Sequence, residues 1–354
     1  MLRKGTFILM KTKIQDMTSG SPGRLIILFA IPLMLGNICQ QLYTMVDTMV
    51  VGQVAGVEAL AALGAVDFLM WVVTGISTGL TQGFSIQLSQ YYGAKDFENL
   101  RKSLAHSYRL TAFIAAGVLI LSQLFASLVL TGLHTPSNII GMSLLYLRII
   151  FCGIPATAAY NMFASALRAM GNSKTPLTAM IIASVLNVSL DILFVAGFGW
   201  GVAGAAIATV IAQSFSAVYC FLILRRIDIV HLTRADFMPA SGMNARLMKL
   251  GIPVVFQNII IGVGGLVVQY VINGYGFLFV AGFTATNKLY GLLEMAAISY
   301  GYAIVTYVGQ NLGAGKIDRI RKGVRSSMLL SLLTSLIISC LLYTSPSPRD
   351  YAAS

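Results

Sequence analysis

The chain has 354 residues, of which 57% are hydrophobic and only 10% charged, with mean hydropathy +0.80 and a formal net charge of +12. That balance excludes an ordinary soluble domain, and apolar runs of about 20 residues or more are long enough to cross hydrocarbon as helices. Cys39, Cys152 and Cys220 sit singly in apolar runs with no CxxC or metal-ligand spacing, so neither a disulfide framework nor a metal centre is expected.

Nine spans are predicted in chain order: 24–51, 59–91, 103–131, 138–167, 176–197, 201–224, 246–272, 279–309 and 324–339. The first follows a basic segment and carries Ile31-Pro32 and Asp47; its apolar run is too long for a cleavable signal and lacks a small-residue cleavage pattern. The second runs into QYYGAKDFENLRK, Gln90 to Lys102. The fifth contains NVSLDILF with Asn187 and Asp191, and the longest polar stretch, Arg225 to Lys249, follows the sixth. The seventh opens near IPVVFQN, the eighth holds Lys288 and Glu294, and QNLGAGKIDRIRK, Gln310 to Lys322, precedes the ninth.

Basic residues fix the orientation. Arg3, Lys4, Lys11, Lys13 and Arg24 precede or open the first span, and the loops after the even-numbered spans hold fifteen more, so twenty of the 24 Lys and Arg fall on one side. By the positive-inside rule the N-terminus and those loops are cytoplasmic. The positive charge is then topological, and nucleic acid is not an expected partner.

Two landmarks recur in order at one offset of about 220 positions: the Ile-Pro of IPLMLGN, from Ile31, returns in IPVVFQN, from Ile252, and Gln90 to Lys102 returns as Gln310 to Lys322. The offset contains six spans, an even number, which predicts an all-α polytopic membrane protein of two parallel six-helix repeats around a central cavity, with about nine transmembrane helices present. The expected division is a cytoplasmic N-terminal segment (1–20), an N-lobe of helices 1–6 (21–226), a cytoplasmic interlobe linker (227–244), a partial C-lobe of helices 7–9 (245–339) and a tail (340–354). Pro32 and Pro253 each remove an amide donor early in an odd-numbered span, where a helix can bend.

Acids in hydrocarbon are costly and therefore candidates for function. Asp47 and Asp191 both fall in the outer half of the bilayer by rise per residue, and Asn187 shares a helix face with Asp191. A desolvated carboxylate can load a proton and release it when exposure changes; two carboxylates with Asn and Thr oxygens can instead hold sodium; and each can simply hydrogen-bond neighbouring helices. Tyr43, one turn before Asp47, together with Asn258 and Glu294, are candidate cavity residues. Lys288 is expected to snorkel, Asp67 to be interfacial, Glu58 to lie in a loop, and His106, His134 and His231 to be solvated.

The run IPLMLGNICQQLYTMVDTMVVG, with QYYGAKDFENLRK, LRAMGNSKTP and LNVSLDILFVAGFGWGVAGAAIAT, resembles the multidrug and toxic compound extrusion (MATE) family over roughly residues 20 to 339. The resemblance implies a secondary active antiporter without a cofactor, not an enzyme, that exports organic cations or amphipathic compounds in exchange for H+ or Na+. It further implies a multi-pass protein of the bacterial inner membrane whose partners are small molecules and the bilayer, and which works as a monomer. It assigns Asp47, Asn187, Asp191 and Thr209 to cation coupling, with either ion at that set, and Pro32 to bending of the first helix. The seventh span has Gln257, Asn258 and Gln269 but no acid, which favours coupling in the N-lobe.

From Cys340 the chain reads CLLYTSPSPRDYAAS, whose first eleven residues can be back-translated into a string resembling a transposon mosaic end and sequencing adaptor. On that reading 340–354 is non-native, the last three helices are missing, and the polypeptide is expected to be unstable or inactive. A lipid-linked oligosaccharide flippase has related architecture, but the spans offer only Arg109, Arg148 and Lys288 for pyrophosphate. An intramembrane enzyme would need a nucleophile and base or metal ligands at helix spacing, and HExxH is absent.

Overall fold

A computed structural model describes residues 14–133, 135–273 and 277–344; side chains of 269, 272–290, 292, 293 and 341–344 lie outside the description. The described residues fold into helices α1 (Pro22–Val54), α2 (Val57–Gly64), α3 (Asp67–Gly93), α4 (Phe97–Gly132), α5 (Ile140–Cys152), α6 (Ile154–Ala169), α7 (Lys174–Asp191), α8 (Gly201–Leu224), α9 (Met243–Asn273), α10 (Phe277–Gly313) and α11 (Ile317–Thr344), with no strand among them. Among the described residues seven helical segments are long and apolar enough to cross a membrane, or eight if α5 and α6 count as one bent span. Helix α10 covers the predicted eighth span.

Three predicted spans are interrupted. The second divides at Ala65–Val66 into α2 and α3. The fourth bends by 46° between α5 and α6, where Gly153 is followed by Pro155 in the first turn of α6; proline has no amide hydrogen and its ring excludes the preceding turn, so the backbone must break there. The fifth ends in a π-helical turn, Ile192–Gly197, rather than α-helix throughout.

Large apolar side chains such as Phe113, Leu124, Leu128 and Val185 face outward, as expected where lipid rather than water surrounds the bundle. Inside, one core gathers α3, α4, α6 and α8 around Phe84, Leu88, Leu104 and Met162, and a second joins α5 and α8 around Leu147, Phe151 and Ala205. A third core packs Met17, Ile26 and Phe29 against Tyr300 and Tyr307, tying the start of the chain to α10.

The duplicated helices exchange partners: α3 lies along α9, and α10 lies along α1. The repeated Gln-to-Lys segments meet face to face, because a Cβ on Gly93 would collide with the Gln310 carbonyl and one on Gly313 with the Gln90 carbonyl. Only glycine permits that approach.

The polar stretch between α8 and α9 is ordered by short-range bonds. Thr233 N–H and Oγ1 donate to Asp236 Oδ2 at 2.7 and 2.8 Å, closing a turn, and Arg101 Nε stands 3.8 Å from Asp236 Oδ1. Arg109 Nη1 donates to the Phe237 carbonyl at 3.0 Å. His106, expected to be solvated, is only 2% exposed; its ring nitrogens lie 2.7 Å from Asn244 Oδ1 and 3.1 Å from the Met238 carbonyl. Docking of this segment on α4 buries it. His231 is exposed beside Asp228 as expected, whereas His134 lies outside the described residues. Asp67 is exposed, and Glu58 is exposed in the first turn of α2 rather than in a loop. Of the terminal segment read as foreign, Cys340–Thr344 continue α11 and 345–354 lie outside the described residues.

Candidate functional site

Three helices each contribute two polar residues four positions apart: Tyr43 and Asp47 on α1, Asn187 and Asp191 on α7, Thr209 and Gln213 on α8. In a helix that spacing stacks two side chains on one face, and α1, α7 and α8 pack against one another. Asn187 and Asp191 are fully buried, and Asp47 is 5% exposed. Asp47 lies close enough to Asp191 for their charges to act on each other, and both act on Tyr43.

The cluster is short of donors. Asn187 Nδ2 donates to Thr209 Oγ1 at 3.4 Å, and Gln213 Nε2 donates to the Tyr43 hydroxyl at 3.5 Å, both long. Both carboxylate oxygens of Asp191, Asn187 Oδ1 and Gln213 Oε1 are buried with no hydrogen-bond partner. Every one of these orphaned atoms is an oxygen acceptor. An apolar interior holds such a set at a cost that a proton, a cation or a donated hydrogen bond removes.

Asp191 is also the last residue of α7, at the point where the helix widens into the π turn. Phe198 N–H reaches back five residues to Leu193 O at 2.9 Å, and Trp200 N–H donates to Phe194 O at 2.9 Å. Such turns concentrate at functional sites and leave the local backbone easier to rearrange than an unbroken helix.

The six residues of this cluster include all four expected to couple a cation, together with Tyr43. Gln213 was missed by sequence reading; its signal was the Thr209-to-Gln213 spacing, the same one-turn step that singled out Asn187 and Asp191. Pro32 is buried inside α1, which continues unbroken to Val54. Asn258 is elsewhere: its Nδ2 donates to Gly75 O at 3.0 Å, joining α9 to α3. Glu294 is exposed on α10, and the Lys288 side chain lies outside the described residues. Among the described residues no three His, Cys, Asp or Glu side chains gather to hold a metal.

The MatE family model matches residues 32–193 and 253–348. The "Probable multidrug resistance protein YpnP" of Bacillus subtilis is 32% identical over 308 residues, covering 87% of this chain and 69% of that protein. The "Probable multidrug resistance protein YoeA" of the same organism is 28% identical, covering 93% and 73%. Among solved structures, the outward-facing conformation of a multidrug resistance MATE family transporter of the MOP superfamily superimposes with a TM-score of 0.87 at 22% identity, covering 94% of this chain and 74% of that one.

Proposed function

The chain belongs to the MatE family, and on that premise we propose that it is a secondary active antiporter that exports organic cations or amphipathic compounds in exchange for H+ or Na+. The observation that carries this reading is the buried Asp191 carboxylate with neither oxygen hydrogen-bonded. A proton or a sodium ion arriving there removes the cost of a bare buried charge, so ion binding and the conformation of α1, α7 and α8 are linked.

Asp47 and Asp191 take up the ion, while Asn187, Thr209 and the added Gln213 supply neutral oxygens. Tyr43 offers a ring face to a cationic compound. Loading the ion draws α1 toward α7 and α8, with Pro32 as the point where α1 bends, and the shrinking pocket expels the compound. The basic loops and the N-terminal segment face the cytoplasm, the membrane is the bacterial inner membrane, and the working unit is a monomer.

Expression of the full-length parent in cells lacking their major efflux pumps tests the reading: export of a fluorescent organic cation should appear and stop when the proton and sodium gradients are both collapsed. Export that persists without either gradient would contradict ion-coupled antiport.

A further inference from the structure

We propose that residues 15–18 form a latch, gripped by side chains of the second copy of the duplicated segment, three of them peculiar to that copy, which holds the two bundles together at the end of the molecule bearing the N-terminus. This rests on the reading of those bundles as lobes that separate during transport.

Met17 is fully buried and bonded on both sides of its peptide. Its N–H donates to Gln310 Oε1 at 3.0 Å, and its carbonyl accepts from Asn311 Nδ2 at 2.9 Å and from Arg319 Nη2 at 3.4 Å. Lys316 Nζ donates to Thr18 O at 2.9 Å. The same segment reaches the N-lobe through Gln15 N–H to Gly171 O at 3.2 Å, and Gln310 Nε2 donates to Ala169 O at 2.8 Å. Gln310 and Asn311 have no exposed surface, so opening this end would strip these groups of their partners before water reached them.

The two copies can be laid over each other, Gln90 on Gln310 and Gly93 on Gly313. Where the second copy has Asn311, Lys316 and Arg319, the first has Tyr91, Asp96 and Asn99. Those three differences, together with the shared Gln310, hold Met17 and Thr18, whereas the shared glycines form the crossing itself. Tyr91 accepts from Gln87 and Asp96 bonds Asn99, both within the first copy. The duplication supplies a symmetric crossing, and divergence of one copy adds a one-sided grip.

The test uses the 354-residue chain in lipid nanodiscs, its cysteines replaced, with a reporter cysteine at Ser89, which is fully buried against Gly309. Gln310→Ala with Asn311→Ala, and separately Asn311→Tyr with Arg319→Asn, should each speed maleimide labelling about tenfold, the change that losing one or two net hydrogen bonds gives. A second reporter at Ser143, buried against Ala62, should label at an unchanged rate. Unchanged labelling at position 89 in both variants, or an equal rise at position 143, would overturn the latch. Faster labelling at 89 in a protein that moves no drug would leave the latch standing and remove the transport reading. Drug export with no change at 89 would remove the latch alone.

Discussion

Gly93 and Gln310, equivalent in neither sequence position nor lobe, meet with no room for a methyl group between them, and Gly313 and Gln90 repeat the contact in reverse. Gly93→Ala and Gly313→Ala should therefore each destabilise the protein by roughly 1–3 kcal/mol, the cost of overpacking a close contact. Gly117→Ala, where a Cβ meets open space inside α4, should be neutral or gain up to about 1 kcal/mol. Thermal melts followed by size-exclusion chromatography distinguish these; equal melting of Gly93→Ala and the parent would contradict the crossing.

The crossing also marks how far the sequence could be read. The matched Gln-to-Lys segments and the Ile-Pro pairs locate equivalent helices, because duplication leaves its trace in residue order. Their exchange of partners, α3 with α9 and α10 with α1, is a matter of packing between distant helices and leaves no periodic signal. Asp47, Asn187 and Asp191 stood out because charge and amide groups are rare in apolar spans, whereas Gln213 did not, since a lone Gln in α8 gains meaning only beside Tyr43. The α5–α6 bend and the π turn after Asp191 were invisible to hydropathy, which averages over both. His106 was misjudged because nothing in its neighbours announced that a segment some 130 positions later would cover it.

That covering segment gives a second prediction. His106→Phe removes a ring whose two nitrogens meet Asn244 Oδ1 and the Met238 carbonyl, so both contacts to the segment are lost. Docking of the 234–244 segment should weaken by about 1–3 kcal/mol, read as faster amide hydrogen exchange there with little change in α7. Unchanged exchange would mean that Arg101 and Arg109 suffice to hold it.

Asp16 sets a pH dependence at the start of the chain. Partial burial pushes its carboxyl up, but hydrogen bonds from Thr18 and Ser19 and the nearby Lys316 ammonium outweigh that and hold it below its ordinary value of 3.8. The unfolded chain then binds the proton more readily, so the stabilisation is full above the ordinary carboxylate range and is lost as pH falls through the lower, folded-state value. Asp16→Asn should melt below the parent at neutral pH, and the gap should close on acidification. A gap independent of pH would contradict the assignment.

In the polar cluster, Gln213→Met removes an acceptor that is buried without a donor. Stability should hold or rise by up to about 1 kcal/mol, while ion-driven export falls, the pattern of a site that sacrifices stability for function. Melting and export assays on the same preparation check both; a fall in stability with export intact would contradict a coupling role.

The most direct measurement of the central claim is ion-driven uptake of a fluorescent cation into inverted membrane vesicles, comparing the parent with Asp191→Asn and Asp47→Asn. The account predicts that both variants still bind the compound but lose at least about tenfold of the gradient-driven flux, since an amide can neither take up the proton nor balance a sodium ion. Gradient-driven flux at the parental rate in Asp191→Asn would contradict it.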